Sequence, residues 1–146
     1  MVSLPSDIDQ VRATNLAFYK AFEAGDIEAM ASVWADAAPV SCLHPGWEPL
    51  VGREVVLTSW VRIFRGTRSI VFTLRGVQIF LAGDTAWTLL VEEMDAIHHD
   101  GQRIRASSIA TNVFVREPDG WRLVHHHAGP AVALPGAPPG VQRILH

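Results

Sequence analysis

The chain has 146 residues, 49% hydrophobic and 18% charged, which suits one globular domain and excludes an intrinsically disordered chain. The formal net charge is -3 and the basic residues are scattered, so we expect neither nucleic acid nor a membrane as a partner. One cysteine, Cys42, excludes an intramolecular disulfide framework, and without a signal-like or membrane-spanning apolar run we expect a cytoplasmic protein.

Three helices are predicted in the first half of the chain. Their predicted ranges are 7–24, 26–35 and 52–65. Ser6 is the candidate N-cap of the first helix, Gly25 is its candidate C-cap, and an apolar stripe at helical spacing includes Phe18. Asn15 falls inside that stripe, where it either points into a polar pocket or lies half-exposed at the edge. A short strand before the third helix is interrupted at Pro45-Gly46.

Four long strands are predicted in the second half. Their ranges are 69–81, 85–98, 103–116 and 121–128, and the turn signals between them are Gly83-Asp84, Asp100-Gly101 and Asp119-Gly120. Strands of this length must bend, and Gly76 is the predicted position. The order of elements predicts an α+β fold, with the helices packed on the concave face of a bent antiparallel sheet. Residues 131–146, rich in Pro and Gly, are predicted to form a surface tail after a single domain at 1–130.

Turn lengths predict which strand residues share a face. A two-residue turn at Asp100-Gly101 places the odd residues of the second strand with the even residues of the third. A loop of two or four residues in the last hairpin adds the odd residues of the fourth strand, whereas a three-residue loop would add the even ones. The polar residues predicted on the concave face are Glu93, Ser108, Asn112, His125 and His127. Such a cluster on a mostly apolar concave face is typical of a small-molecule pocket.

The opposite face is predicted to carry His126 and to form a dimer interface. Its apolar residues include Val113, Val115 and Val124, and several arginines accompany them. This face is too apolar to be wholly exposed and too charged to be core, so we expect a homodimer through it.

Several motifs resemble the nuclear transport factor 2-like superfamily, in particular its SnoaL-like branch. They are "AFEAGDIEAMASVWAD", "CLHPGWEPLVGR", "ATNVFVREPDGW" and "VHHHAGP", within roughly residues 7–130. The association domain of calcium/calmodulin-dependent kinase has a similar last strand. The resemblance implies a cone-shaped α+β barrel, open at one end and usually dimeric through the sheet. The superfamily includes isomerases, cyclases, dehydratases and non-enzymatic assembly modules, so the resemblance is specific for fold and not for activity.

The ketosteroid isomerase-like members of this superfamily have two catalytic positions that differ here. Their helix-one tyrosine, which donates to the oxyanion, corresponds to Phe18, and Tyr19 lies beside it on a different helix face. Their base aspartate corresponds to about Cys42 to His44. We therefore do not expect steroid isomerisation by that mechanism.

Three interpretations of the histidines remain open. His125 and His127, with His44 and with Glu93 as a carboxylate, have the residue types of a metal site, although the superfamily fold generally works without metal and we expect no cofactor. Acid–base catalysis is the second: Glu93 would orient His127, with His125 beside it, for proton transfer near neutral pH. The third is a binding pocket without chemistry, or a packed polar core.

The residues predicted to bind a ligand surround this cluster. They are Asn15, Phe18, His44, Trp47, Trp60, Ser108 and Asn112. Cys42 is predicted to be a small buried hydrophobe. We expect the protein to bind a small, largely apolar molecule and to convert it by proton transfer, as an isomerase, cyclase or dehydratase. The alternative is a non-catalytic dimerisation or assembly module with a vestigial, filled pocket.

Overall fold

The computed structural model describes residues 5–131 of the chain. Its helices are α1 (Asp7–Ala24), α2 (Ile27–Val33) and α3 (Arg53–Arg65). Its strands are β1 (Ser41–Leu43), β2 (Leu50–Val51), β3 (Thr67–Ala82), β4 (Thr85–His98), β5 (Arg103–Glu117) and β6 (Gly120–Pro130). The predicted helices and long strands are confirmed, and β2 is an addition to them. Beyond Ala131, the predicted tail lies outside the described residues.

The caps predicted for α1 explain where the first helices begin and end. The Ser6 hydroxyl accepts a hydrogen bond from the Asp9 N–H at 3.1 Å, which satisfies a free donor of the first turn. Gly25 has a φ of 61°, a left-handed conformation that ends the helix at low cost. The Asp26 side chain then accepts from the Ala29 N–H and starts α2.

All six strands form one sheet in the order β2-β1-β6-β5-β4-β3. The four long strands pair antiparallel, as predicted. The pair β1–β6 is parallel, so the expectation of a wholly antiparallel sheet was wrong at this edge. No hairpin joins these two strands, and no tight turn therefore imposes opposite directions on them. The bend predicted at Gly76 is confirmed, because the β3–β4 register shifts between Arg75 and Gln78.

The helices cover one face of the sheet, called the inner face below; the other is the outer face. The core between helices and inner face is rich in aromatic rings. The Phe18 ring lies 5.4 Å from the Trp60 ring and 4.8 Å from the His126 ring, centroid to centroid. The Trp60 ring is in turn 4.7 Å from that of Phe22. These spacings are those of packed aromatic pairs, so the rings fill the interior.

The loop between β4 and β5 is one residue longer than predicted. Ile97 pairs with Arg103, and the His98 N–H bonds to the Gln102 carbonyl, which leaves a three-residue loop at 99–101. The even residues of β4 therefore share a face with the even residues of β5. As a result Glu92 is on the inner face and Glu93 is on the outer face, opposite to the prediction.

A β-bulge in β6 reverses the predicted faces of the histidines. The last hairpin has the two-residue turn that was assumed, since Glu117 pairs with Gly120. The register then shifts: Phe114 pairs with Leu123, but Val113 pairs with His125, so Val124 is an extra residue on β6. Beyond this bulge His126 is on the inner face. The placement of His125 and His127 on the concave face was therefore wrong.

Candidate functional site

Five buried side chains form a continuous hydrogen-bonded chain in the interior, called the inner polar chain below. His126 Nδ1 lies 2.6 Å from Asn112 Oδ1. Asn112 Nδ2 donates to Asn15 Oδ1 at 2.8 Å and to the Tyr19 hydroxyl at 3.3 Å. The Tyr19 hydroxyl donates to Glu92 Oε2 at 2.5 Å. Each of the five residues is at most 6% exposed.

The direction of these bonds assigns the protons. Asn112 uses its amino group toward Asn15, so its carbonyl oxygen faces His126 and must accept. His126 therefore carries its proton on Nδ1, and Nε2 is left with a lone pair. Each hydrogen bond is donated toward Glu92: His126 donates to Asn112, Asn112 donates to Tyr19, and Tyr19 donates to the carboxylate.

One helix and three adjacent strands bring the chain together. Asn15 and Tyr19 are four residues apart on α1, which places them on one helix face. Asn112 on β5 and His126 on β6 are direct register partners, and Glu92 comes from β4. The site thus exists only when α1 is packed on the sheet.

A second group of polar residues lies beside the chain. The Ser59 hydroxyl donates to the Val56 carbonyl at 2.6 Å, so it accepts from His44 Nε2 at 2.9 Å. Cys42 Sγ is 3.8 Å from His44 Nε2, and Cys42 is the register partner of His126. The indole of Trp47 packs edge-to-face against the His44 ring, with the ring centroids 4.8 Å apart.

Burial shifts the pKa values of the titratable groups in this interior. It lowers the pKa of His126 to about 3 and that of His44 to about 4, so both imidazoles are neutral at pH 7. Burial raises the pKa of Glu92 to about 7, although the bond from Tyr19 opposes the shift. Burial, and then the charge of Glu92, raise the pKa of Tyr19. Burial also raises the pKa of Cys42 to about 12, which keeps it a thiol, the buried residue that was expected.

The structure brings most of the predicted ligand-binding residues to this interior. Those that are buried there are Asn15, Phe18, His44, Trp60 and Asn112. Trp47 is partly buried at the edge, with the Arg62 guanidinium 5.2 Å from its ring centroid. Ser108 is half-buried and is the register partner of Glu92 on β5.

The three residues predicted to be catalytic lie on the outer face, where the His125 and His127 rings are 6.3 Å apart, centroid to centroid, and Glu93 does not join them. Glu93 accepts from Arg75 at 2.7 Å. His125 Nδ1 is 2.7 Å from Ser41 Oγ. Glu93 pairs with Ser107, whereas exposed His127 pairs four residues further along β5, so the expected Glu93–His127 pair is not formed.

Sequence reasoning missed Tyr19, Glu92 and His126. The spacing of four residues between Asn15 and Tyr19 was a usable signal, since it places both on one side of α1. Neither Glu92 nor His126 carried such a signal. Each is adjacent to a residue of the same type, and only the long loop and the bulge decide which of the two faces inward.

Two recesses lie on the outer face, and a third, of about 460 Å³, lies along α3 beside Leu57 and Val61. A groove of about 560 Å³ is lined by residues that include Thr73, Glu93, Asp95 and Arg105, and a neighbouring one of about 300 Å³ includes Leu89 and Ile109. Within residues 5–131, no group of three or more His, Cys, Asp or Glu side chains is arranged to hold a metal ion. In the same range, no helix is long and apolar enough to span a membrane.

Residues 11–133 match the family described as the SnoaL-like domain. The chain belongs to this family. A solved structure from Streptomyces avermitilis is 40% identical, covers 87% of this chain and 97% of its own, and has a TM-score of 0.81. Its name assigns it to the nuclear transport factor 2-like family and suggests a dehydratase. The expected α+β fold of this superfamily is thereby confirmed.

Other relatives of this SnoaL-like protein carry different names. A structure from Thiobacillus denitrificans, named for a calcium/calmodulin-dependent protein kinase type II association domain, is 36% identical. It covers 83% of this chain and 94% of its own, with a TM-score of 0.72. F-box protein SKIP8 of Arabidopsis thaliana is 27% identical over 116 residues, 80% of this chain. This chain spans only 47% of the length of SKIP8. The relatives of this chain thus include one named for catalysis and one named for association.

Proposed function

We propose that this SnoaL-like protein binds a small, largely apolar molecule in its interior and acts on it by proton transfer. The contact between Tyr19 and Glu92 carries the proposal. Burying a carboxyl group costs free energy, and an apolar side chain would fill the same volume without that cost. Ionisable groups with shifted pKa values cluster at functional sites for this reason.

Glu92 is the proposed general base. Its pKa of about 7 lets it take a proton from a carbon next to a carbonyl group and return it near neutral pH. Tyr19 holds the carboxylate in place, and Asn112 links Tyr19 to His126. The proposed reaction class is isomerisation or dehydration, in line with the name of the relative from Streptomyces avermitilis.

A second candidate function is that of an assembly module. The observation that favours it is the packed interior, in which rings such as Phe18, Phe22 and Trp60 occupy the space of a pocket. The name of the relative from Thiobacillus denitrificans fits this alternative.

We also propose that the protein forms a homodimer through the outer face, which is compatible with either function. This face carries a half-exposed apolar strip that includes Leu89, Val91 and Ile109, and Trp87 stacks on Phe80 at 5.3 Å beside it. Water-facing apolar strips of this kind are typical of interface centres.

Deuterium uptake tests the catalytic proposal. The protein would be incubated in D₂O with a panel of uncharged bicyclic ketones such as 2-tetralone, and α-carbon exchange would be followed by mass spectrometry. We expect exchange above the buffer rate, and a loss of about 100-fold or more in Glu92→Gln, the usual size of a general-base contribution. Glu93→Gln is the matched control and should keep the wild-type rate. Absence of catalysed exchange for the whole panel would favour the assembly module.

A further inference from the structure

Two histidines of β6 lie next to each other on the outer face. His125 and His127 are two residues apart on the strand, so their side chains point to the same face. Their ring centroids are 6.3 Å apart, and the ring planes are nearly perpendicular. Of the residues considered for a metal site from the sequence, only these two come together. His44 is buried in the interior, and Glu93 is bonded to Arg75.

The distance between the two rings suits a shared metal ion after a small adjustment. An ion bonded to two imidazole nitrogens at about 2.1 Å holds the ring centroids about 5 Å apart in tetrahedral geometry. The His127 ring therefore has to move about 1 Å toward His125. His127 is exposed, so it can make this movement by rotation about its own side-chain bonds.

His125 already has the hydrogen bond that orients a metal-binding histidine. Its Nδ1 lies 2.7 Å from the Oγ of Ser41, its register partner on β1. A hydroxyl oxygen can accept, so Nδ1 can carry the ring proton while Nε2 keeps a lone pair. Metal-binding histidines generally donate through their second ring nitrogen, because that bond fixes the ring and its tautomer. Burial, and then the charge of His127, lower the pKa of His125, which keeps the lone pair available at pH 7.

The surroundings of the pair determine which kind of ion fits. The residues beside it in the register are uncharged: Ser41 and Leu43 on β1, Thr111 and Val113 on β5. These four positions therefore hold no positive charge to repel a cation and no carboxylate to supply oxygen ligands. Mg²⁺ and Ca²⁺ require such oxygen ligands, whereas imidazole nitrogens suit zinc, nickel and copper.

We infer that His125 and His127 form a binding site for one divalent transition-metal ion, such as Zn²⁺, on the outer face. Water completes the coordination, because two imidazoles leave positions open on the ion. The inference goes beyond the proposed function, since both rings lie on the opposite side of the sheet from Glu92 and take no part in the proposed proton transfer.

Titration of the untagged full chain with Zn²⁺ tests the site. Binding would be followed by calorimetry and by the ring resonances of ¹⁵N-labelled histidine. We expect one ion per chain at this site, shifts of the His125 and His127 ring resonances, and no such shifts with Mg²⁺. His125→Gln and His127→Gln should each weaken binding at least about tenfold, because even the loss of a hydrogen-bond partner of a metal ligand costs about 10–100-fold.

His98 and His99 provide the matched control. Both are exposed, but they are adjacent in the chain rather than two residues apart. The double variant His98→Gln/His99→Gln should therefore keep the wild-type affinity and the shifts of the His125 and His127 resonances. Unmoved His125 and His127 resonances, or unchanged affinity in both single variants, would overturn the inference.

Two further results separate this site from the other proposals. Glu92→Gln should bind Zn²⁺ as wild type does, whether or not the protein catalyses deuterium exchange; weaker binding there would place the ion in the interior and overturn the inference. One ion bound per two chains would show that ligands from two copies share it, and would overturn a site formed within one chain.

Discussion

Neighbouring residues of one type have opposite environments in this protein. Glu92 is 6% exposed and bonds to Tyr19, whereas Glu93 is paired with Arg75 in contact with solvent. His126 is 2% exposed and neutral at pH 7, whereas His127 is exposed. The effect of burial can therefore be measured by comparing the same substitution at the two members of each pair, because the members have the same side chain and differ in burial.

His126 should make the protein less stable in acid. Burial lowers its pKa from 6.5 to about 3, so below pH 6.5 the unfolded chain takes up a proton that the folded chain does not. Stability from this residue is therefore present above pH 6.5 and is lost as the pH falls toward 3. Between pH 7 and pH 5 the loss is about 2 kcal/mol. Glu92 and His44 also titrate between these pH values, but they do so in all three proteins compared here. Urea denaturation at both pH values should therefore give a change in His126→Gln that is less destabilising by about 2 kcal/mol than the change in wild type and in His127→Gln. Equal losses in all three proteins would contradict the prediction.

Glu92 should make the protein less stable as the pH rises, which is the opposite of the effect of His126. Its pKa is raised from 4.5 to about 7, so the folded chain binds the proton more tightly and stability falls as the pH rises from 4.5 to 7. Tyr19 and Cys42 face the same carboxyl and stay neutral in this range. Relative to wild type, Glu92→Gln should gain about 2 kcal/mol of unfolding free energy between pH 5 and pH 8. Thermal and urea unfolding of Glu93→Gln should follow wild type; a gain there of the same size would show that burial is not the cause.

At the scale of elements, the helices could be predicted and the faces of the strands could not. Caps and apolar spacing mark α1 within its own sequence. Along β4 both faces carry large apolar residues, such as Leu89 on one and Leu90 on the other, so the pattern favours neither. The length of the 99–101 loop and the bulge at Val124 then decide the faces, and neither has a distinctive residue signature.

The connection between α2 and α3 depends on one side chain. The Arg53 guanidinium donates to the carbonyls of Ala31, Trp34 and Ala35 at 2.8–3.0 Å, which satisfies the free carbonyl groups at the end of α2. Arg53→Met keeps the apolar stem and removes these bonds. We expect a loss of about 2 kcal/mol in unfolding free energy, measured by urea denaturation, since charged donors contribute about 1.5–3 kcal/mol. Exposed Arg65→Met is the control, and a similar loss there would rule out this role for Arg53.

The whole molecule has two faces with separate proposed tasks, chemistry inside and association outside. The inner polar chain lies between α1 and the sheet, while the apolar strip of the outer face has no cover within residues 5–131. A change on the outer face should therefore alter assembly without altering the pKa of Glu92.

The proposed dimer through the outer face should dissociate when one charge is introduced there. Ile109 is half-buried on β5 opposite Val91, within the apolar strip. Ile109→Glu should convert the proposed dimer to a monomer at micromolar concentration, because an unpaired carboxylate at an interface centre is costly. Light scattering gives the mass directly. Val55→Glu, at an exposed position on α3, should remain dimeric. A monomeric wild-type protein would end the dimer proposal.

The amino-acid sequence by itself determined the elements of this protein, because their signals are local. A cap, a turn glycine or an apolar stripe acts over a few residues, so α1, the long strands and the bend at Gly76 could be predicted. Only the tertiary structure decided the site. Its bonds join residues far apart in the chain: Tyr19 and Glu92 have a sequence separation of 73, and Asn15 and Asn112 one of 97. Whether Glu92 and His126 face the interior depends on one loop residue and one bulge residue, since the faces of a strand alternate at every residue.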